Sequence, residues 1–187
     1  MAQRGDERAF SLILRTYETP VFNYILRLVG DRTLAEDLTQ EVFLRVFQSI
    51  KTFSLRSKFT TWLFQVTKNR VLDELRANER RPRAFVALED VPQLEVVDQP
   101  MERLETIDAV WRAVENLNVD LKMALLLRDV VGLSYTEIAD SLEITLATVK
   151  WRIFRAREDV QIALAREGIT FGEEPAAHST PTVTTVS

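Results

Sequence analysis

Apolar residues recur along most of this chain at intervals of three and four, the period of a helix with one buried face. Between Glu7 and Val29 they fall at Phe10, Ile13, Leu14, Tyr17, Val21, Ile25, Leu28 and Val29. Pro20 interrupts this run and predicts two short helices or one kinked helix, because proline removes a backbone donor and crowds the preceding turn. Gly30-Asp31 should end the element. A second run is more regular: Leu34, Leu38, Val42, Val46 and Ile50 repeat every fourth residue, and Thr33 with Glu36 reads as a capping box at its start. Beyond the loop Phe53-Ser54-Leu55-Arg56-Ser57, a helix over about Lys58 to Asn78 carries Phe59, Trp62, Leu63 and Val66 on one face. Asn69, Asp73, Arg76 and Arg80 then line up at i, i+4, i+7 and i+11 on another.

The periodicity lapses from Arg81 to about Met101, where three prolines and several acids predict an interdomain linker. It returns with Leu104, Ile107, Val110, Trp111, Val114 and Leu117 in one amphipathic helix and Leu121, Ala124, Leu125 and Leu127 in the next. The text from Gly132 to Arg157 then reads as a helix-turn-helix. Ser134 and Glu137 form a capping box, Ile138, Ala139 and Leu142 share a buried face, and Glu143-Ile144-Thr145 is a three-residue turn. Thr145 can cap the second helix. In that helix Val149, Ile153 and Ala156 face inward, leaving Lys150, Trp151, Phe154, Arg155 and Arg157 outward. The predicted fold is all-α: two small helical domains joined by a flexible linker, the C-terminal one a four-helix domain with a helix-turn-helix. The expected boundaries are 1–81, a linker over 82–101, 102–167, and a disordered tail over 168–187.

Composition changes this picture little. With 187 residues, 46% apolar and 28% charged, the chain resembles an ordinary globular protein with room for two small domains. No apolar run is long enough for a membrane span, and the start, MAQRGDERAF, lacks a secretion signal, so a cytoplasmic protein without membrane insertion is expected. Zero cysteines exclude disulfides and thiolate metal sites.

Charge distribution changes it more. The net charge of −4 argues superficially against nucleic acid. Yet residues 51–83 hold nine basic residues against three acids, and residues 84–120 hold nine acids against two basic residues. A block of +6 beside one of −7 implies local attraction to phosphate. The outward Lys150, Trp151, Phe154, Arg155 and Arg157 suit a helix in a DNA major groove, where cations reach guanine or phosphate and apolar surface meets a thymine methyl. The aromatic and cationic groups of the 58–80 helix suit single-stranded DNA, which needs phosphate neutralisation and π-faces for unstacked bases. For Trp62 alone, a core position is the simpler reading.

These motifs also carry a family resemblance. The text LRDVVGLSYTEIADSLEITLATVKWRIFRAR, residues 127–157, resembles the fourth region of extracytoplasmic-function sigma factors, the promoter-recognition subunits of bacterial RNA polymerase. In that family the second helix reads the −35 promoter element, and the matching positions are Lys150, Trp151, Phe154 and Arg155, with Arg157 beside them. Here Glu143 stands where the family usually has a turn glycine, Ala147 where Gly is common, and Trp151 where Ser is common. The segment F-x-x-x-S-x-F-x-T-W-L-x-x-V-x-x-N-x-x-x-D-x-x-R is similar to the sigma region that melts and reads the −10 element. That match implies DNA contacts from Lys58, Asn69, Asp73 and Arg76, with the preceding loop forming a pocket for a flipped base. Leu55 and Arg56 replace a common Gly and a common acid there. DLTQEVF resembles the segment that docks on the clamp coiled coil of the polymerase's largest subunit, with Asp37, Gln40 and Glu41 matching. The resemblance runs from about Gly5 to Leu164 and implies further contact with the polymerase flap and a controlling anti-sigma factor.

Three function classes follow. The first is a sigma factor that binds core polymerase and promoter DNA, duplex and melted. The second is a stand-alone helix-turn-helix regulator, in which Asn69, Asp73 and Arg76 would be dispensable for DNA binding. The third, an enzyme, finds little support: five scattered glycines form no phosphate-cradling loop, and the single histidine, His178, lies in the tail. No cofactor or metal is expected.

Overall fold

The computed structural model describes residues 7–53, 58–79 and 101–169. The first helix, α1 (Glu7–Val29), runs unbroken through Pro20. Proline in a helix interior costs about 3 kcal/mol. Burial of a large apolar side chain returns about 1.5–3 kcal/mol, and Val21, Tyr24, Ile25 and Leu28 are all buried just beyond Pro20. Packing therefore outweighs the break, and of the two forms predicted, the single helix exists.

Gly30 closes α1 at φ +71°, its N–H donating to the Leu26 carbonyl at 2.8 Å. The reversal sets Asp31 in extended backbone, and its carboxylate accepts the Leu34 N–H at 2.9 Å as the cap of α2 (Arg32–Ser49). This corrects the capping box predicted at Thr33 and Glu36. Thr33 lies inside the first turn, and Glu36 turns to Arg32 at 3.0 Å instead. Leu38, Val42 and Val46 are fully buried, and Ile50 begins a short 3₁₀ turn. α3 (Phe59–Glu79) completes a three-helix unit, with Tyr24 edge-on to Phe64 at 5.5 Å in its centre. Burial raises the Tyr24 pKa, and among the described residues its hydroxyl has no hydrogen-bond partner.

The C-terminal unit holds α4 (Met101–Glu115), α5 (Val119–Asp129), α6 (Tyr135–Leu142) and α7 (Leu146–Arg166). Leu117, expected at the end of α4, falls in the turn, where Asn118 caps α5 by accepting the Asp120 N–H at 2.9 Å. Met123, Leu126, Leu127, Ile138 and Ile153 fill the centre. The predicted linker lies outside the described residues except for Met101, which opens α4; the tail beyond Ile169 and loop residues Leu55 and Arg56 also lie outside.

The two units do not stand apart. α6 packs on α3 and α5 on α1, and one apolar cluster runs through both. Among the described residues, several polar contacts cross the seam. Ser141 Oγ donates to the buried Thr61 carbonyl at 3.1 Å, Lys68 Nζ meets Glu143 at 2.6 Å, and Lys58 meets Glu137 at 2.9 Å. Arg27, only 8% exposed, lies 3.6 Å over the Trp111 ring with Glu115 at 3.9 Å. Burial lowers the Arg27 pKa, with Glu115 opposing.

Candidate nucleic-acid and polymerase interfaces

The helix-turn-helix forms as its caps dictate. Ser134 Oγ accepts the Glu137 N–H at 3.3 Å, while the Glu137 carboxylate accepts the Ser134 N–H at 2.9 Å and its hydroxyl at 2.6 Å. The Ser134 hydroxyl first, then Lys58, hold the Glu137 pKa down to about 2. Glu143 ends α6 in the left-handed region, φ 58° and ψ 43°, which an L side chain enters at a cost on the order of 1 kcal/mol. Thr145 then caps α7, accepting the Thr148 N–H at 3.1 Å. Val149, Ile153 and Ala156 lock α7 to its neighbours.

The outer face of α7 is more apolar than its sequence suggests. Trp151 is 60% and Phe154 67% exposed, and Leu146 and Ala147, not among the predicted contacts, are exposed beside them. Arg155 reaches Glu158 at 2.8 Å and Asp159 at 3.0 Å, and Arg157 reaches Asp129 on α5 at 2.7 Å. Asp129 raises the Arg157 pKa. Lys150 is exposed and has no carboxylate within ion-pair distance among the described residues. Of the predicted cations it alone faces outward uncommitted; Arg155 and Arg157 must exchange a partner to bind phosphate.

On α3, Asn69, Asp73 and Arg76 form the exposed stripe their spacing predicts, with Arg76 3.8 Å from Asp73. Lys58, at the start of α3, is exposed but already paired with Glu137. Trp62 is half-buried between Phe53 at 5.0 Å and Phe59 at 5.8 Å, an aromatic cluster that extends through Phe59 to Tyr17. It is therefore a wall rather than a free stacking plate. The loop expected to form a base pocket lies outside the described residues.

On α2, Asp37, Gln40 and Glu41 are exposed along one stripe, as predicted. Arg70 of α3 donates to Glu41 and also reaches Glu74 at 2.9 Å, and this bond lowers the Glu41 pKa. The stripe continues into exposed Leu44 and Phe47, the latter edge-on to Phe10 at 4.9 Å. Sequence reading missed both. Their signal was an apolar pair out of register with the buried 38-42-46 series.

A groove of about 700 Å³ opens between the units, lined by Pro20 and Asn23 of α1, Trp111 of α4 and Leu164 of α7 among others. Among the described residues no cluster of His, Asp or Glu is placed to hold a metal, and no helix is long and apolar enough to cross a membrane.

Two helical units, one presenting a helix-turn-helix and the other an exposed polar stripe beside an aromatic wall, define a DNA-binding transcription protein. Residues 13–81 match the Sigma-70 region 2 family and residues 107–160 the Sigma-70 region 4 family. The chain is 36% identical to the RNA polymerase sigma-H factor of Pseudomonas aeruginosa, covering 87% of this chain and 89% of that one. It is 34% identical to the ECF RNA polymerase sigma-E factor of Escherichia coli (strain K12), covering 84% and 87%. Its fold is similar to RpoE of Bartonella quintana in complex with the anti-sigma factor NepR, with a TM-score of 0.72, 21% identity, and 84% and 98% of the two chains covered. It is also similar to CnrH in complex with the cytosolic domain of CnrY, with a TM-score of 0.68, 22% identity, and 89% and 94% covered. The chain belongs to the sigma-70 family, among its extracytoplasmic-function members. It serves promoter-specific transcription initiation with RNA polymerase, and the stand-alone regulator is not favoured.

Proposed function

We propose that the three exposed surfaces divide the work of initiation among them. The outer face of α7, with Lys150, Trp151, Phe154 and Arg155, reads the −35 element in the major groove, and Arg157 contacts its backbone after leaving Asp129. The α3 stripe of Asn69, Asp73 and Arg76, with Lys58, holds the melted −10 strand. Binding to the unpaired strand offsets the few kcal/mol, roughly, that unstacking a base costs. The α2 stripe of Asp37, Gln40 and Glu41, extended by Leu44 and Phe47, docks on the polymerase clamp coiled coil. Carboxylates there suit arginines on a partner helix, and the two apolar side chains supply the buried centre a protein interface needs. The C-terminal unit also meets the polymerase flap.

The protein acts in the cytoplasm, as a binding factor without covalent chemistry, and an anti-sigma factor holds it inactive. The two fold neighbours, each in complex with a partner chain, support that last point. The observation that carries the whole reading is the presence of both regions in one chain, each with its candidate contact face exposed.

Run-off transcription with core polymerase tests it. Protein-dependent transcripts whose upstream sequences share two spaced elements are expected. No transcript, together with specific duplex binding by the protein alone, would return the assignment to a stand-alone regulator.

A further inference from the structure

The stripe of α7 that faces furthest from the protein is apolar over two turns. Residues step about 100° around a helix, so Ala147, Trp151, Phe154 and Glu158 share one line opposite the buried Val149, Ile153 and Ala156. Lys150 stands on one side of that line and Arg155 on the other. From Ala147 to Phe154 the line rises about 10 Å, about three base pairs of duplex.

Reading base edges by paired hydrogen bonds takes Arg or Lys for guanine and Asn or Gln for adenine. α7 has no asparagine, and its one glutamine, Gln161, lines the groove between the units. Arg152 is held by Asp120 at 2.9 Å, Arg155 by Glu158 and Asp159, and Arg157 by Asp129. The Thr148 hydroxyl is bonded to that of Thr145 at 2.8 Å. Lys150 has no carboxylate within ion-pair distance among the described residues, but an ammonium is a point charge without the fork of a guanidinium. Polar readout is therefore thin where apolar readout is rich, since Trp151 and Phe154 expose two rings on adjacent turns.

Rings exposed in this way mark a surface that something apolar covers. The centre of a protein interface disfavours lysine, whereas Lys150 borders this stripe, and the first turn of α7 carries no acid. A duplex meets both conditions. Its phosphates take the bordering cations, and the apolar group it offers in the major groove is the C5 methyl of thymine.

We propose that Trp151, with Phe154 beside it, is the specificity-determining residue of the −35 contact and reads thymine methyl groups. The upstream element of this protein then carries thymine where the stripe crosses it, and any guanine contact falls to Lys150 and Arg155 at the edges. The proposal rests on the reading of α7 as the −35 helix. Cytosine is rejected there because it lacks the methyl and turns an amino donor toward a ring that cannot accept it.

The test uses the full chain as holoenzyme, on duplexes carrying the upstream element of a promoter found by run-off transcription. Deoxyuridine replaces thymine within that element alone, which removes the methyl and keeps every hydrogen-bonding group. Each contacted thymine so replaced should weaken binding about fourfold, the value of one buried methyl group. The thymine-to-uracil ratio should not change between about 50 and 200 mM salt, because no charge has been altered. The same ratio is then measured in variants, where losses of overall affinity cancel. Trp151→Ser should bring it close to one at the position Trp151 covers. Trp151→Phe should keep it, because the indole N–H is lost but an apolar ring remains.

A ratio of one in the unmodified holoenzyme, or an upstream element without thymine, overturns the proposal. So does a ratio that survives Trp151→Ser, which gives the methyl contact to another residue. A ratio lost equally in Trp151→Phe overturns it as well, because the indole N–H would then carry the recognition. If Trp151→Ser weakens binding of core polymerase while uracil has no effect, the rings are a protein contact instead. Failure of the sigma reading is distinct, since no protein-dependent transcript would then exist to supply the element.

Discussion

Ser134→Ala probes the cap that sets α6, and through it α7. The hydroxyl accepts the Glu137 N–H at 3.3 Å and donates to the Glu137 carboxylate at 2.6 Å; alanine removes both, while the bond from the Ser134 N–H at 2.9 Å survives. Losing a serine cap costs about 0.5–2 kcal/mol. The accepted bond is long and weak, but the donated one is short and ends on a charge, so the expected loss at neutral pH is about 1–1.5 kcal/mol. Its pH dependence follows from that charge. The Glu137 pKa is held down to about 2, first by the Ser134 hydroxyl, whereas in an unfolded chain it is about 4.3. A carboxylate depressed in the folded state adds stability that is present above the unfolded value and is lost as pH falls through the folded one. The gap between the two proteins should therefore be complete at about pH 7 and close progressively below about pH 4. Urea unfolding at several pH values, with equal m-values, measures it. A gap under about 0.3 kcal/mol at pH 7, or one that grows on acidification, refutes the assignment of the hydroxyl–carboxylate bond as the main contribution.

Three further outcomes are expected. Lys150→Ala should lower transcription from a −35-dependent promoter about three- to tenfold with core binding unchanged, and Arg155→Ala less, since Arg155 must first leave two carboxylates; electrophoretic core-binding assays beside run-off transcription separate the two effects. Charge reversal at Asp37 and Glu41, or Leu44→Ala, should weaken the complex with core polymerase by about tenfold while duplex binding by the C-terminal unit persists, as titration by fluorescence anisotropy would show. Trp111→Ala should cost about 2–4 kcal/mol, because it strips the ring from a buried guanidinium whose carboxylate partner is distant, whereas Arg27→Met should cost far less; equal losses in chemical denaturation would refute the stacking account.

Local physics made much of this protein legible in its sequence. Ser134-Glu137 and Thr145 announced the start of α6 and α7, and the spacing of Val149, Ile153 and Ala156 fixed which side of α7 faces outward, because capping and helical period involve only near neighbours. The exposed stripes at Asp37, Gln40 and Glu41 and at Asn69, Asp73 and Arg76 followed from the same period. At Thr33 local reasoning failed, because a glycine with positive φ moved the cap to Asp31.

What only the tertiary structure decided involves residues distant in the chain. Pro20 sits in one continuous helix because residues from other elements bury its neighbours. Arg157 takes the carboxylate of Asp129 on α5, 28 residues away, while Arg155 is paired inside α7 itself, so Lys150 is left as the uncommitted cation of the outer face of α7. Lys68 and Glu143, 75 residues apart, become partners only because α6 packs on α3. Helical period reaches a few residues and states which face is apolar; it carries no information about which other face will cover it, and that choice sets which charges are paired and which stay free.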